Sequence, residues 1–163
     1  MFLNEAYFDK NGGSNNFIEL AHPNTTSLAT YTIELFEDIG GLVSLYHELT
    51  YRQGSSGQER NGLSFYSWTL SMRNNAPDAI AIVDDLGNLL EFISFGPIGE
   101  VAIGGAASGS VSRSVGVQHR KPSEVSISRQ GNGCISSDFI WAEAVVLTQG
   151  DVNENQIVSN CAR

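Results

Sequence analysis

The sequence predicts an all-β sandwich of about nine or ten short strands with Greek-key connections. Three observations predict it. Apolar residues recur at period two in short runs along most of the chain. One run, residues 79–83, is apolar on both faces, as a central strand is, and an Asp/Gly turn leads out of it. Loops rich in Gly, Ser and Asn separate the runs. The 163 residues are 41% hydrophobic and 17% charged, which suits one globular domain rather than a disordered chain. Neither an internal repeat nor a composition shift divides them. Residues 1–163 therefore read as a single domain, with 157–163 a C-terminal extension.

Taken in order, residues 2–8 alternate Phe2, Asn4, Ala6 and Phe8 against Leu3, Glu5 and Tyr7. A second strand is expected over 16–21. Residues 31–36 place Tyr31, Ile33 and Leu35 on one face and Thr32 and Glu34 on the other. Residues 42–50 and 64–71 are further strands; Leu42, Leu45 and Leu49 also fit helical spacing, but strand is preferred there. Ala79–Val83, the turn Asp84-Asp85-Leu86-Gly87-Asn88 and Leu89–Phe95 make a hairpin. Residues 115–119, 124–129 and 138–147 complete the set, with Val125 and Ile127 alternating against Glu124, Ser126 and Ser128. Two loops stand out. Residues 52–62 are polar and expected to be mobile, and residues 96–116 hold six glycines and four serines.

Charge narrows the function classes. Nine Lys+Arg against eighteen Asp+Glu give a net charge of -9. Such a chain repels phosphate backbones and anionic lipid, so direct nucleic-acid binding and membrane docking are disfavoured. Arg113, Arg120, Lys121 and Arg129 are the only candidates for a local basic patch. No apolar run approaches the ~18–20 residues of a membrane span. The opening Met1-Phe2-Leu3-Asn4-Glu5 has neither a basic n-region nor a long apolar h-region. No signal peptide is expected there, and the compartment stays open.

Catalytic motifs fail one by one. Gly54-Ser55-Ser56-Gly57 is a flexible loop, not a nucleophile elbow. The glycine-rich stretch lacks the lysine of a phosphate loop. His22, His47 and His119 share no zinc-ligand spacing. Glu5 and Glu19, on neighbouring strands, are the one pair placed for acid–base chemistry; the competing role is as outward strand residues or caps for loop amides. The loop from Asp9 to Asn16, with Glu19 beyond, offers oxygen ligands to calcium through Asp9, Asn11, Asn15 and Glu19. It is no EF-hand, because Ser14 and Leu20 stand where that loop needs Gly and Glu. Cys134 and Cys161 are too few for a zinc cage and are not spaced as a redox pair. Joined, they close a loop of roughly 28 residues, worth about 3.5 kcal/mol in the chain-entropy account, and imply an oxidising compartment. The alternative is two unrelated thiols. Trp141, in an alternating strand, is expected in the core rather than as a stacking platform.

Several of these segments, in order, resemble one family. Phe2-Leu3-Asn4-Glu5-Ala6-Tyr7 and Phe17-Ile18-Glu19-Leu20 resemble the entry strands of the bacterial lamin tail domain. Leu28-Ala29-Thr30-Tyr31-Thr32-Ile33, the hairpin from Asp78 to Phe95, Ser112–Gln118, Asp138-Phe139-Ile140-Trp141 and Gln149–Gln156 are similar to its later motifs. Asn16 replaces a usual acidic residue and Gln149 a usual proline. The resemblance covers residues 2 to 156 and implies an immunoglobulin-like fold. It further implies a secreted or surface-located, non-catalytic binding module that targets or supports an associated extracellular enzyme or an envelope component. No catalytic set and no cofactor come with it. Two other classes compete: a metal-dependent hydrolase using Glu5, Asp9 and Glu19, and a structural domain that self-associates through a strand edge.

Overall fold

Period-two runs do become strands, and they stack as two sheets. The computed structural model describes residues 1–8, 15–71, 77–96, 99–117, 125–159 and 161. Among these, thirteen strands form: β1 Phe2–Tyr7, β2 Asn16–Pro23, β3 Thr32–Asp38, β4 Leu42–Thr50, β5 Ser55–Arg60, β6 Leu63–Leu70, β7 Ala79–Val83, β8 Leu89–Ser94, β9 Val101–Ile103, β10 Arg113–Ser114, β11 Ser126–Gly133, β12 Phe139–Ala144 and β13 Gln156–Val158. Short 3-10 turns at Tyr51–Gln53 and Ser136–Asp138 are the only helical pieces described. The first sheet runs β12-β11-β1-β2-β6-β5, with β13 added beside β11, and the second runs β10-β8-β7-β3-β4-β9. The neighbours β1/β11, β2/β6 and β3/β7 are distant in sequence, because the chain crosses between sheets after each hairpin. That crossing pattern is the expected Greek-key sandwich.

The core lies between the sheets. Leu3, Ala6, Ile18, Leu20, Tyr66, Trp68 and Ile127 from the first sheet meet Ile33, Leu35, Leu49, Ile80, Ile82 and Ile93 from the second. Residues 42–50 are strand, as preferred. The count exceeds nine or ten because several strands carry no apolar alternation. β5, inside the stretch expected to be mobile, is exposed at every residue and is held by backbone pairing to β6. β9 and β10 lie within the glycine-rich stretch. Val115–Val117 is not a strand; Val115 is buried and its N–H donates to the Ser94 carbonyl at 3.0 Å. The rest of the strand expected at 115–119 lies outside the described residues. Ile157 and Val158, assigned by sequence to the extension, belong to β13.

Both outer faces are covered. Over the first sheet runs a strap, residues 145–158, sealed by a cluster of Phe2, Ala21, Leu63, Phe65, Phe139 and Val158. The Cys134–Cys161 disulfide borders this cluster, with Cα atoms 5.2 Å apart. Over the second sheet the glycine-rich segment sets Ala102 and Ala107 against Phe36, Ala79, Ala81 and Phe92.

Candidate functional site

The carboxylates that sequence offered for chemistry lie under the straps. In β1 the register slips between Leu3 and Glu5, so Leu3 pairs with Leu20 but Glu5 pairs with Glu19. This bulge inserts Asn4 and turns Glu5 to the outer face, directly across from Glu19. Both carboxylates are fully buried. Glu5 Oε2 accepts from the Thr148 hydroxyl at 2.7 Å and from the Thr148 N–H at 3.2 Å. Glu19 Oε1 accepts from Asn4 Nδ2 at 2.9 Å, and its Oε2 accepts from the Gly150 N–H.

A directed chain of amides backs this contact. The Asn153 N–H donates to Gln156 Oε1 (3.0 Å), Gln156 Nε2 to Asn4 Oδ1 (2.7 Å), and Asn4 Nδ2 to Glu19. Asn153 Nδ2 also holds the Asn4 and Arg129 carbonyls. Burial raises the Glu5 pKa, opposed by the hydrogen bonds from Thr148. Burial raises Glu19 further, well above the usual carboxylate range, with Glu5 and Asp151 adding repulsion. Glu5 and Glu19 thus act as caps for loop amides, the second of the two roles weighed for them. They are buried, not outward in solvent.

The second sheet repeats the device. Glu34, in the middle of β3, is 3% exposed. Its Oε1 accepts the Ala106 N–H at 2.7 Å and its Oε2 the Ala107 N–H at 3.4 Å. Gly105 has φ +65, and a Cβ there would overlap the Glu34 carboxylate.

Of the candidates for a basic patch, Arg129 does not lie on the surface. Arg129 is 1% exposed and joins the sheets from inside. Its Nε donates to the Leu3 carbonyl (2.7 Å), its Nη1 to the Ser136 carbonyl (2.8 Å), and its Nη2 to Glu91. The guanidinium lies over Trp141, 4.5 Å from the ring centroid, and 5.3 Å from that of Phe2. Trp141 is half-buried and packs on the inter-sheet core. Period two put Arg129 inside, in step with Ile127, and its bonds satisfy it there. Arg113, exposed, reaches the same Glu91 at 3.2 Å. Arg120 and Lys121 lie outside the described residues.

Of the calcium candidates, Asp9 and Asn11 also lie outside the described residues. Asn15 is an exposed turn residue, and Glu19 sits four residues further along β2, roughly 13 Å away on an extended strand. Both Glu19 oxygens face N–H donors. Among the described residues, no group of three or more His, Cys, Asp or Glu is placed to hold a metal ion. His22 is buried, its pKa lowered by burial, with Nδ1 3.0 Å from the Pro23 carbonyl. His47 is exposed and stands at an open cleft of about 390 Å³ between Tyr46, Leu49, Gln53 and Leu70.

Sequence reading missed Asn4, Thr148, Asn153 and Gln156 as parts of one network. The available signal was a carboxylate wedged between apolar neighbours, Ile18-Glu19-Leu20 and Ile33-Glu34-Leu35. Comparison with protein-family models, curated proteins and solved structures finds no match to this chain. Among the described residues, no helix is long and apolar enough to cross a membrane.

Proposed function

We propose that this chain is a non-catalytic binding module of the lamin tail type, exported to an oxidising compartment. There it targets or supports an associated extracellular enzyme or an envelope component. The observation that carries the reading is the use made of Glu5 and Glu19. An acid–base pair needs a carboxylate oxygen presented to substrate and water. Here the two side chains are sealed beneath the 145–158 strap and hold its Thr148 and Gly150 amides. The same reasoning weakens a hydrolase built on Glu5, Asp9 and Glu19, since two of its three members are structural. The Cys134–Cys161 disulfide supports export, because such a bond persists where thiols are not kept reduced. The order of segments resembling lamin tail motifs supports the family assignment.

The test is to assay the purified chain for nuclease, phosphatase and glycosidase activity with calcium, magnesium and zinc added in turn. No turnover is expected. Turnover that Glu5→Gln or Glu19→Gln abolishes, in variants that stay folded, overturns the proposal. Pull-down of the proteins secreted with this chain would then identify what it supports.

A further inference from the structure

Each sheet has two edges, and three of the four are blunted. β5 is polar throughout and carries Glu59 and Arg60. β10 has two residues, and β9 has three, with Val101 already bridged to Val111. β12 differs. It ends the first sheet, and among the described residues its only strand partner is β11. Charges, prolines and bulges are the usual guards of such an edge. From Phe139 to Gly150 there is no lysine, arginine or proline, and Glu143 is the single charged residue. Ile140 is 72% exposed, and Val145, Val146 and Leu147 just beyond the strand are 73%, 53% and 42% exposed.

The geometry points to β12 as a self-pairing edge, joined antiparallel to β12 of a second copy of this chain. Charge selects the occupant. The chain is acidic overall, at -9, yet this edge is almost uncharged, so a second acidic copy meets little local repulsion. An antiparallel pair sets residues i+k and i−k opposite one another about its centre. Glu143 therefore faces its own copy only in the single register centred on itself, and every other register opposes it to a neutral residue or to Asp138 or beyond. The pair is closed and two-fold, so it ends at a dimer. It would cover Ile140, and Val145 where it adjoins the strand end, from both copies with the strand backbones.

Sedimentation velocity from about 5 µM to about 500 µM, repeated at roughly 0.5 M salt, tests this. The mass is expected to double from 17.6 kDa with rising concentration, and at lower concentration in the higher salt, where the net charges are screened. Ile140→Lys and Val145→Lys, both at exposed positions, are expected to stay monomeric with unchanged melting temperature. Val111→Lys, at the other sheet's edge, is expected to dimerise like the parent. Backbone amides of residues 139–144 should gain hydrogen-exchange protection only in the dimer. A monomer at every concentration overturns the inference, as does a dimer that survives both lysines. Neither result bears on the catalytic assays above.

Discussion

Replacing Arg129 by Met removes the one side chain that, among the described residues, ties the two sheets together by charge. Met keeps an apolar stem between Phe2 and Trp141, so the packing loss is small. The polar loss is not. The Leu3 and Ser136 carbonyls lose donors at 2.7 and 2.8 Å. Glu91, whose side chain is only 10% exposed, loses its buried partner. It keeps the Leu3 N–H at 2.8 Å and a 3.2 Å contact with Arg113, whose own side chain is 61% exposed. Breaking a buried pair from one side costs about 3–5 kcal/mol, because a charge is stranded. The surviving N–H bond to Glu91 places this case toward the lower end. At about 2–4 °C per kcal/mol for a domain of this size, Arg129→Met should lower Tm by roughly 6–16 °C. Glu91→Gln still accepts from Leu3 but strands no charge. The double variant should therefore recover about 1–3 kcal/mol relative to the sum of the single losses. Urea unfolding of the four proteins at pH 7 measures the cycle. Additivity within about 0.5 kcal/mol, or a single loss below about 1 kcal/mol, would refute the claim that Glu91 depends on Arg129 as its buried counter-charge.

Three further outcomes are expected. The folded chain holds protons on Glu5 and Glu19 more tightly than the unfolded chain, because both pKa values are raised above 4.5. Their contribution is present in full below that value and is lost as pH rises through the folded values; urea midpoints should fall from pH 5 to pH 8, less steeply in Glu19→Gln, and a rising wild-type profile would contradict this. Converting Cys134 and Cys161 to Ser should cost about 3.5 kcal/mol by the chain-entropy account, read from chemical denaturation, with exchange protection lost first around β13. Gly105→Ala should cost about 1–3 kcal/mol through a strained left-handed backbone, seen as a lower Tm; an unchanged Tm would mean that the Glu34 clamp is loose.

Most of the fold was legible because burial writes itself into alternation. Ile33, Leu35, Ile80 and Ile82 sit on the inter-sheet face that their spacing predicts. Strands that bury no apolar side chain leave no such trace. β5 reads Ser-Ser-Gly-Gln-Glu-Arg, and nothing in those side chains separates an edge strand from a polar loop. Arg129 shares the parity of Ile127, but a charged side chain is ordinarily found outside, so by residue type alone it reads as part of a basic patch. The Leu3–Glu5 slip was not legible, since a bulge is one residue of register and Phe2–Phe8 alternates smoothly through it. With it went the pairing of Asn4 with Gln156, residues 152 apart in sequence.

The acidity of the chain divides into two populations with opposite physics. Exposed carboxylates contribute to net charge and repel polyanions. Glu5, Glu19 and Glu34 instead answer a need created by the fold. A sheet whose outer face is covered by an irregular strap must satisfy the strap's backbone N–H groups, which water no longer reaches. A carboxylate rising from mid-strand presents two acceptor oxygens, and a glycine in the covering segment allows the close approach, as at Gly105. The cost is desolvation of a charge, visible in the raised pKa values of Glu5 and Glu19. For the same reason, the pair nearest to an acid–base spacing in the sequence is poorly placed for catalysis. Freeing either carboxylate for substrate would require lifting the strap, together with Thr148, Gly150 and the Asn153–Gln156–Asn4 chain that locks it.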